Sequence, residues 1–125
     1  MSPADAQDWL AGASPRVRAM CVDLRARLFA FKPGVSDRIR RRYCVFLRNS
    51  YPFAYAFPQG VRLRLLLNLK RGELDASDGI AQCIAGRSHE GQGDWLVSIA
   101  DGRDLERAMP LIRQAFNAAE SRGRT

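Results

Sequence analysis

His89 is the only histidine in the chain, and it stands five positions before Asp94 in a stretch spaced by Gly91 and Gly93. A His and an Asp on a tight, glycine-permitted turn have the makings of general acid–base work, with backbone amides free to meet an anion. Arg62 and Arg64 would stabilise phosphate charge in such a site, and Asn68 completes a candidate pocket of Arg62, Arg64, Asn68, His89 and Asp94. The plainer alternative is a glycine turn whose His and Asp bond the local backbone. No Ser or Cys nucleophile sits in a recognised setting, and no carboxylates pair at a catalytic spacing. Gly91-Gln92-Gly93 precedes a strand pattern, not a helix, so it is not a dinucleotide fingerprint. No catalytic residue is assigned, and binding is favoured over catalysis.

Arginine is the second chemistry-bearing type. The formal net charge is +7, and residues 32–71 alone carry +9, which leaves −2 for the remainder. Clustered positive charge displaces counterions from a polyanion, so this segment reads as the footprint of a nucleic-acid binder. Its phosphate-contacting set is Arg38, Arg40, Arg41, Arg42, Arg48, Arg62 and Arg64. Eighteen arginines against two lysines also fit a GC-rich coding bias and a merely solvated face, which is the alternative. Cys21, Cys44 and Cys83 form no CxxC pair and with one histidine supply no zinc set at the usual spacing, so neither metal nor cofactor is expected. Scattered free thiols suggest a cytoplasmic setting. Asp5 and Asp8 stand where a secretion signal would be basic, and no apolar run approaches the ~20 residues that cross a bilayer, so no membrane partner is expected.

These residues need a scaffold, and at 125 residues the chain is read as a single domain over 1–125. It is organised around residues 61–69. Val61, Leu63, Leu65, Leu67 and Leu69 fall on one row of a period-2 strand, and Arg62, Arg64, Leu66 and Asn68 on the other. The first row demands cover, while the arginines demand water, carboxylates or phosphates. Leu66 implies that the arginine row is partly covered too, with the His89 loop as the cover.

Upstream, residues 1–13 read as a short helix opened by Ser2-Pro3, with Trp9 and Leu10 docking on the body. Ser14-Pro15 opens an amphipathic helix with Val17, Cys21, Leu24, Leu28 and Phe31 on its stripe, stopped by Lys32-Pro33-Gly34. Residues 35–42 read as a helical turn or the approach to a strand, and 43–47 as a strand. In the strand 51–57, Tyr51, Phe53, Tyr55 and Phe57 share one face, which reads as one wall of a core ahead of a base-stacking platform. Residues 80–84 read as one helical turn and 95–99 as a fourth strand. Asp101 caps a last helix that buries Leu105, Ala108, Met109, Ile112, Ala115, Phe116 and Ala119, with Pro110 bending or breaking it and residues 119–125 as a tail. The expected fold is α+β, a four-stranded, mostly antiparallel meander covered on its leucine face by two long helices.

Several runs recur in order and at matching spacing across residues 14–118: Arg62-Leu63-Arg64-Leu65 with Leu67-Asn68-Leu69, Glu73-Leu74-Asp75, His89-x-Gly91-x-Gly93-Asp94, and Asp104-Leu105 with Met109 and Leu111-Ile112-Arg113-Gln114-Ala115. Together they resemble an uncharacterised bacterial domain family, labelled a domain of unknown function or a "predicted transport protein". The resemblance implies an α+β domain often placed at the C-terminus of longer proteins, beside nuclease-like or modification-dependent restriction domains. It therefore implies an accessory role near DNA, with DNA favoured over RNA. The transport label finds no segment here able to cross a membrane. In one place the chain departs from the family: Glu90 stands where His-Trp-Gly-x-Gly-Asp has its Trp, so a role of that ring in stacking or loop packing is lost. The expected function is a non-enzymatic nucleic-acid-binding or accessory module, linked by the resemblance to DNA defence or restriction. The alternatives are the anionic-ligand or hydrolytic pocket and a protein–protein interaction domain; the sequence sets no oligomeric state.

Overall fold

The structure is a computed structural model that describes residues 9–32, 34–74, 79–87 and 91–123. Helix α1 (Pro15–Phe29) is followed by strands β1 (Val35–Ile39), β2 (Cys44–Arg48), β3 (Tyr51–Gln59), β4 (Arg62–Leu67), β5 (Ala81–Cys83) and β6 (Trp95–Ile99), and then by helix α2 (Gly102–Gly123). The fold is α+β. Among the described residues the six strands form one sheet in the order β1-β2-β3-β4-β6-β5, with every neighbouring pair antiparallel.

Six strands replace the four expected, and both additions lie at the margins. β1 pairs with β2 from Val35↔Arg48 to Ile39↔Cys44. Its alternating half-buried and exposed residues include Asp37 and Arg38, so the segment carries no apolar run of its own. β5 is three residues long and holds to β6 through Ala81↔Val97 and Cys83↔Trp95. Short polar edge strands are stabilised by the partner they pair with, and local propensity gives them little signal.

Each helix starts where its capping residues place it. Ser14 accepts a hydrogen bond from the Val17 amide at 3.2 Å, Pro15 follows, and the Ser14 amide donates to the Gly60 carbonyl at 2.8 Å. That last bond ties α1 to the β3–β4 turn. At α2, Asp101 accepts from the Asp104 amide and Asp104 accepts from the Ala100 amide, both at 3.0 Å. Pro110 is exposed and leaves α2 unbroken, and the helix runs on through the stretch expected to be a tail. Buried Ala119 and an ion pair from Glu120 to Arg48 hold that last part. Trp9 is buried as expected, whereas Ser2-Pro3 lies outside the described residues.

The two rows of β4 have separate surroundings. Leu63, Leu65 and Leu67 belong to a large cluster with Val17, Leu24 and Leu28 of α1 and Leu105, Ile112 and Phe116 of α2. Leu66 belongs instead to a smaller cluster with Val45, Leu47, Tyr55 and Ile84, which among the described residues contains none from a helix. Val61 forms the turn and is exposed, so the apolar row begins at Leu63.

The expected single aromatic wall of β3 is divided. The β2–β3 register shifts between Phe46 and Leu47, which face Ala54 and Pro52 and leave Phe53 as the extra residue of a bulge. Tyr51 and Phe53 consequently pack in the large cluster and Tyr55 and Phe57 in the small one. No helix among the described residues is long and apolar enough to cross a membrane.

Two measurements follow from this packing. Leu65→Ala is expected to cost about 3–5 kcal/mol in urea denaturation, while Val61→Ala stays within about 0.5 kcal/mol. Burial pushes the Cys21 and Cys44 thiols from 9.0 up to about 12, so a thiol probe at neutral pH should modify half-buried Cys83 in the native protein and all three cysteines only in denaturant. Because the unfolded thiols ionise first, their contribution to stability is present below about pH 9 and is lost as pH rises above it.

Candidate functional site

Arg62 and Arg64 alternate with the leucines of β4 and are both exposed. Pairing sets their company: Arg64 lies between Phe57 and Ser98, and Arg62 faces Gln59 and donates to the Ser98 hydroxyl at 3.4 Å. Three strands away, on β1, Arg38 stands opposite Val45 on the same face. Between β1 and β2 the Arg40 amide donates to the Tyr43 carbonyl at 2.7 Å, a tight link that presents Arg40, Arg41 and Arg42 to solvent at the rim. The Tyr43 and Phe57 rings lie 5.0 Å apart at 31°, and both are half-buried. Arg41, Arg42, Phe57 and Gln59 line a cleft of about 800 Å³ together with Trp9, Gly12 and Pro58.

The other half of this face is covered. Gly91 lies so close to the Leu66 methyl and the Tyr55 ring that an added Cβ would meet them at 2.9 and 3.2 Å. Burial pushes the Tyr55 hydroxyl above its ordinary pKa, against a hydrogen bond with the Gln92 backbone. Gly91 and Gln92 thus lie against Leu66 and Tyr55, while Arg62 and Arg64 stay exposed.

Carboxylates are engaged elsewhere. Asp37 pairs with Arg25 at 2.7 Å, Asp23 and Glu106 with Arg27, Asp104 with Arg107, and Glu73 with Arg122. The Lys70 backbone amide, and after it Arg122, holds the Glu73 carboxyl below its ordinary pKa. No described strand residue in register with the Arg62 and Arg64 row is acidic. Among the described residues, Arg38, Arg40, Arg41, Arg42, Arg62 and Arg64 have no carboxylate partner.

Arg48, expected with this set, belongs to the core. It is 7% exposed, and its guanidinium sits 3.9 Å over the Phe116 ring, donates to the Phe116 carbonyl at 3.1 Å and approaches Glu120 at 3.6 Å. The register explains it: Arg48 faces Tyr51 on the row that meets α2.

Of the residues expected to form a pocket, Arg62, Arg64, Asn68, His89 and Asp94, the described ones fall into two places: Asn68 and Asp94 lie apart from Arg62 and Arg64. Arg64 and Asn68 are four residues apart along an extended chain, about 13 Å at strand rise. The Asn68 side chain donates to the Pro52 carbonyl at 2.8 Å, and Asp94 accepts from the Arg71 amide at 2.8 Å while its own amide and carbonyl bind Leu69 and Ile84. Both therefore shape the loop at the far end of the sheet, where Tyr51, Asn68, Lys70, Asp94 and Arg122 line a separate cleft of about 610 Å³. His89 and Glu90 lie outside the described residues. Tyr43, Phe57 and Gln59, which the sequence reading left out of the site, stand beside the arginines; the basic run 38–42 next to Tyr43 was the available signal.

Comparison with known proteins finds a relative from Haemophilus influenzae, described as an uncharacterized protein, that is 28% identical over 109 residues. The match takes in 87% of this chain but 36% of the relative, so the chain spans about a third of that protein's length. No family model matches the chain, and no solved structure does.

The loop geometry has a direct test. Gly93 has φ +124°, and a Cβ there would stand 2.1 Å from the Leu67 carbonyl oxygen, whereas Gly86 at φ +84° faces open space. Gly93→Ala is expected to lower stability by more than about 2 kcal/mol and Gly86→Ala by about 1 kcal/mol, read from urea midpoints.

Proposed function

We propose that this protein is a non-enzymatic nucleic-acid-binding module that contacts phosphates through Arg38, Arg40, Arg41, Arg42, Arg62 and Arg64. One observation carries the reading: Arg38, Arg62 and Arg64 share one row of the sheet, Arg40, Arg41 and Arg42 stand exposed on the β1–β2 connection beside it, and none of the six has a carboxylate partner among the described residues. Guanidinium groups without protein acceptors are suited to bidentate phosphate contacts, and their joint field draws a polyanion to this side. The segregation of the two apolar clusters supports a further element, in which both helices cover the leucine face and leave the arginine side for the ligand. Tyr43 and Phe57 give that side a polarizable surface between the charges. Within this proposal the chain acts as an accessory module, in keeping with its alignment to about a third of a longer relative. DNA is the favoured polymer on the family resemblance alone.

Anisotropy of a labelled oligonucleotide, titrated with protein across a salt series, tests it. Six phosphate contacts on a single strand give a slope near −4 in log affinity against log salt, a loss of a few hundredfold between 50 and 200 mM. An Arg62→Ala, Arg64→Ala double variant is expected to flatten the slope by about 1.4 while leaving the melting temperature unchanged, because both side chains are exposed. Absence of binding at low salt, or a slope near zero, overturns the reading.

A further inference from the structure

We infer that the ligand of this interface is single-stranded nucleic acid, with an unpaired base seated against Phe57 in the cleft between the β1–β2 connection and the end of β3. This rests on the nucleic-acid reading above and adds the form of the polymer.

The shape of the site is the first ground. A duplex offers a convex cylinder with its bases stacked inside, and proteins that read it insert a helix or ribbon into a groove. Here Arg41 and Arg42 stand on the wall of a recess of about 800 Å³ whose other lining includes Phe57, Gln59, Trp9 and Gly12. Clefts of a few hundred Å³ hold a compact organic group, such as a nucleobase with its sugar. A recess rimmed by guanidiniums places charge beside an inserted base, where the phosphate of an unpaired nucleotide lies.

The second ground is the fate of Phe57. Strict alternation from Phe53 would keep both rings on one side, but the bulge puts Phe53 in the main core and brings Phe57 out beside Tyr43. Phe57 stays half-buried, its ring tilted against Tyr43 at 5.0 Å, with Arg64 as its cross-strand neighbour. Aromatic rings interleaved with arginine on a strand surface accept bases of any identity, because every base has a π-face. The exposed Gln59 amide beside it offers one donor and one acceptor group to a base edge. This surface is concave, aromatic and basic together, a combination that paired bases do not satisfy.

The experiment compares three labelled ligands of equal length at low salt: a ten-nucleotide single strand, the same backbone built of abasic residues, and the matching duplex. The base-bearing strand is expected to bind at least about tenfold more tightly than the abasic one, the scale of a stacked base, and more tightly than the duplex. Phe57→Leu is expected to remove that preference while leaving abasic-strand affinity unchanged, which also reports an intact fold. Equal affinity for base-bearing and abasic strands, tighter binding to the duplex, or a preference that survives in a folded Phe57→Leu overturns the inference and leaves the phosphate reading standing. Should Phe57→Leu unfold the chain, the three-ligand comparison on the parent protein decides. Failure to bind any of the three overturns both.

Discussion

Removing the Leu63, Leu65 and Leu67 row of β4 from water is the constraint on which the rest of the molecule depends. Each fully buried leucine contributes about 2 kcal/mol, and β4 is paired on both sides, by β3 and β6. A strand with period 2 cannot bury that row without turning Arg62 and Arg64 the other way. The same packing that forms the core therefore sends two guanidiniums outward at a fixed spacing. Sliding β4 by one residue would bury both arginines, so stability and the charged face are specified together.

The bulge at Phe53 is the second determinant. It adds one residue to β3 opposite β2, and it divides four aromatics between two surroundings. Phe53 meets Phe116 edge-on at 5.3 Å, while Tyr55 and Phe57 join Tyr43 beyond the sheet. Without that extra residue the aromatics would all serve one side. The cover over Leu66 then divides the arginine side lengthwise: the Gly91–Gln92 backbone closes the end near Asn68, and the end near Arg62 keeps its access to solvent.

Charge is arranged by the same geometry. The carboxylates of Asp23, Asp104 and Glu106 lie on the helices, and Asp37 points from β1 toward Arg25 of α1. Anions are thus paired on and around the helices, and the row of Arg38, Arg62 and Arg64 has no carboxylate partner among the described residues. Arg48 shows the opposite outcome for the same residue type: carried inward by its strand, it is held by the Phe116 ring and carbonyl and by Glu120. A buried guanidinium needs such partners, and α2 supplies the carboxylate, Glu120, only because it continues past Ala119.

By itself the sequence determined the elements with strong periodicity and clear caps: α1 from Ser14-Pro15, the leucine strand, β2, β6 and a last helix opened by Asp101. Their signal is local, since burial of a stripe or row dictates its own spacing. The concentration of arginine was equally legible, because charge can be counted along a chain. Tertiary structure alone decided which arginines share a surface, that β1 and β5 complete the sheet, and that Phe57 leaves the aromatic row. Each of these depends on register: edge strands take their hydrogen bonds from a partner, a bulge exists only relative to the opposite strand, and Arg48 differs from Arg64 only in the row on which pairing places it. Asn68 and Asp94, grouped with Arg64 by residue type, are held apart from it by strand rise and by backbone bonds of their own. Composition fixes how much charge a fold must accommodate, and pairing fixes where that charge can stand.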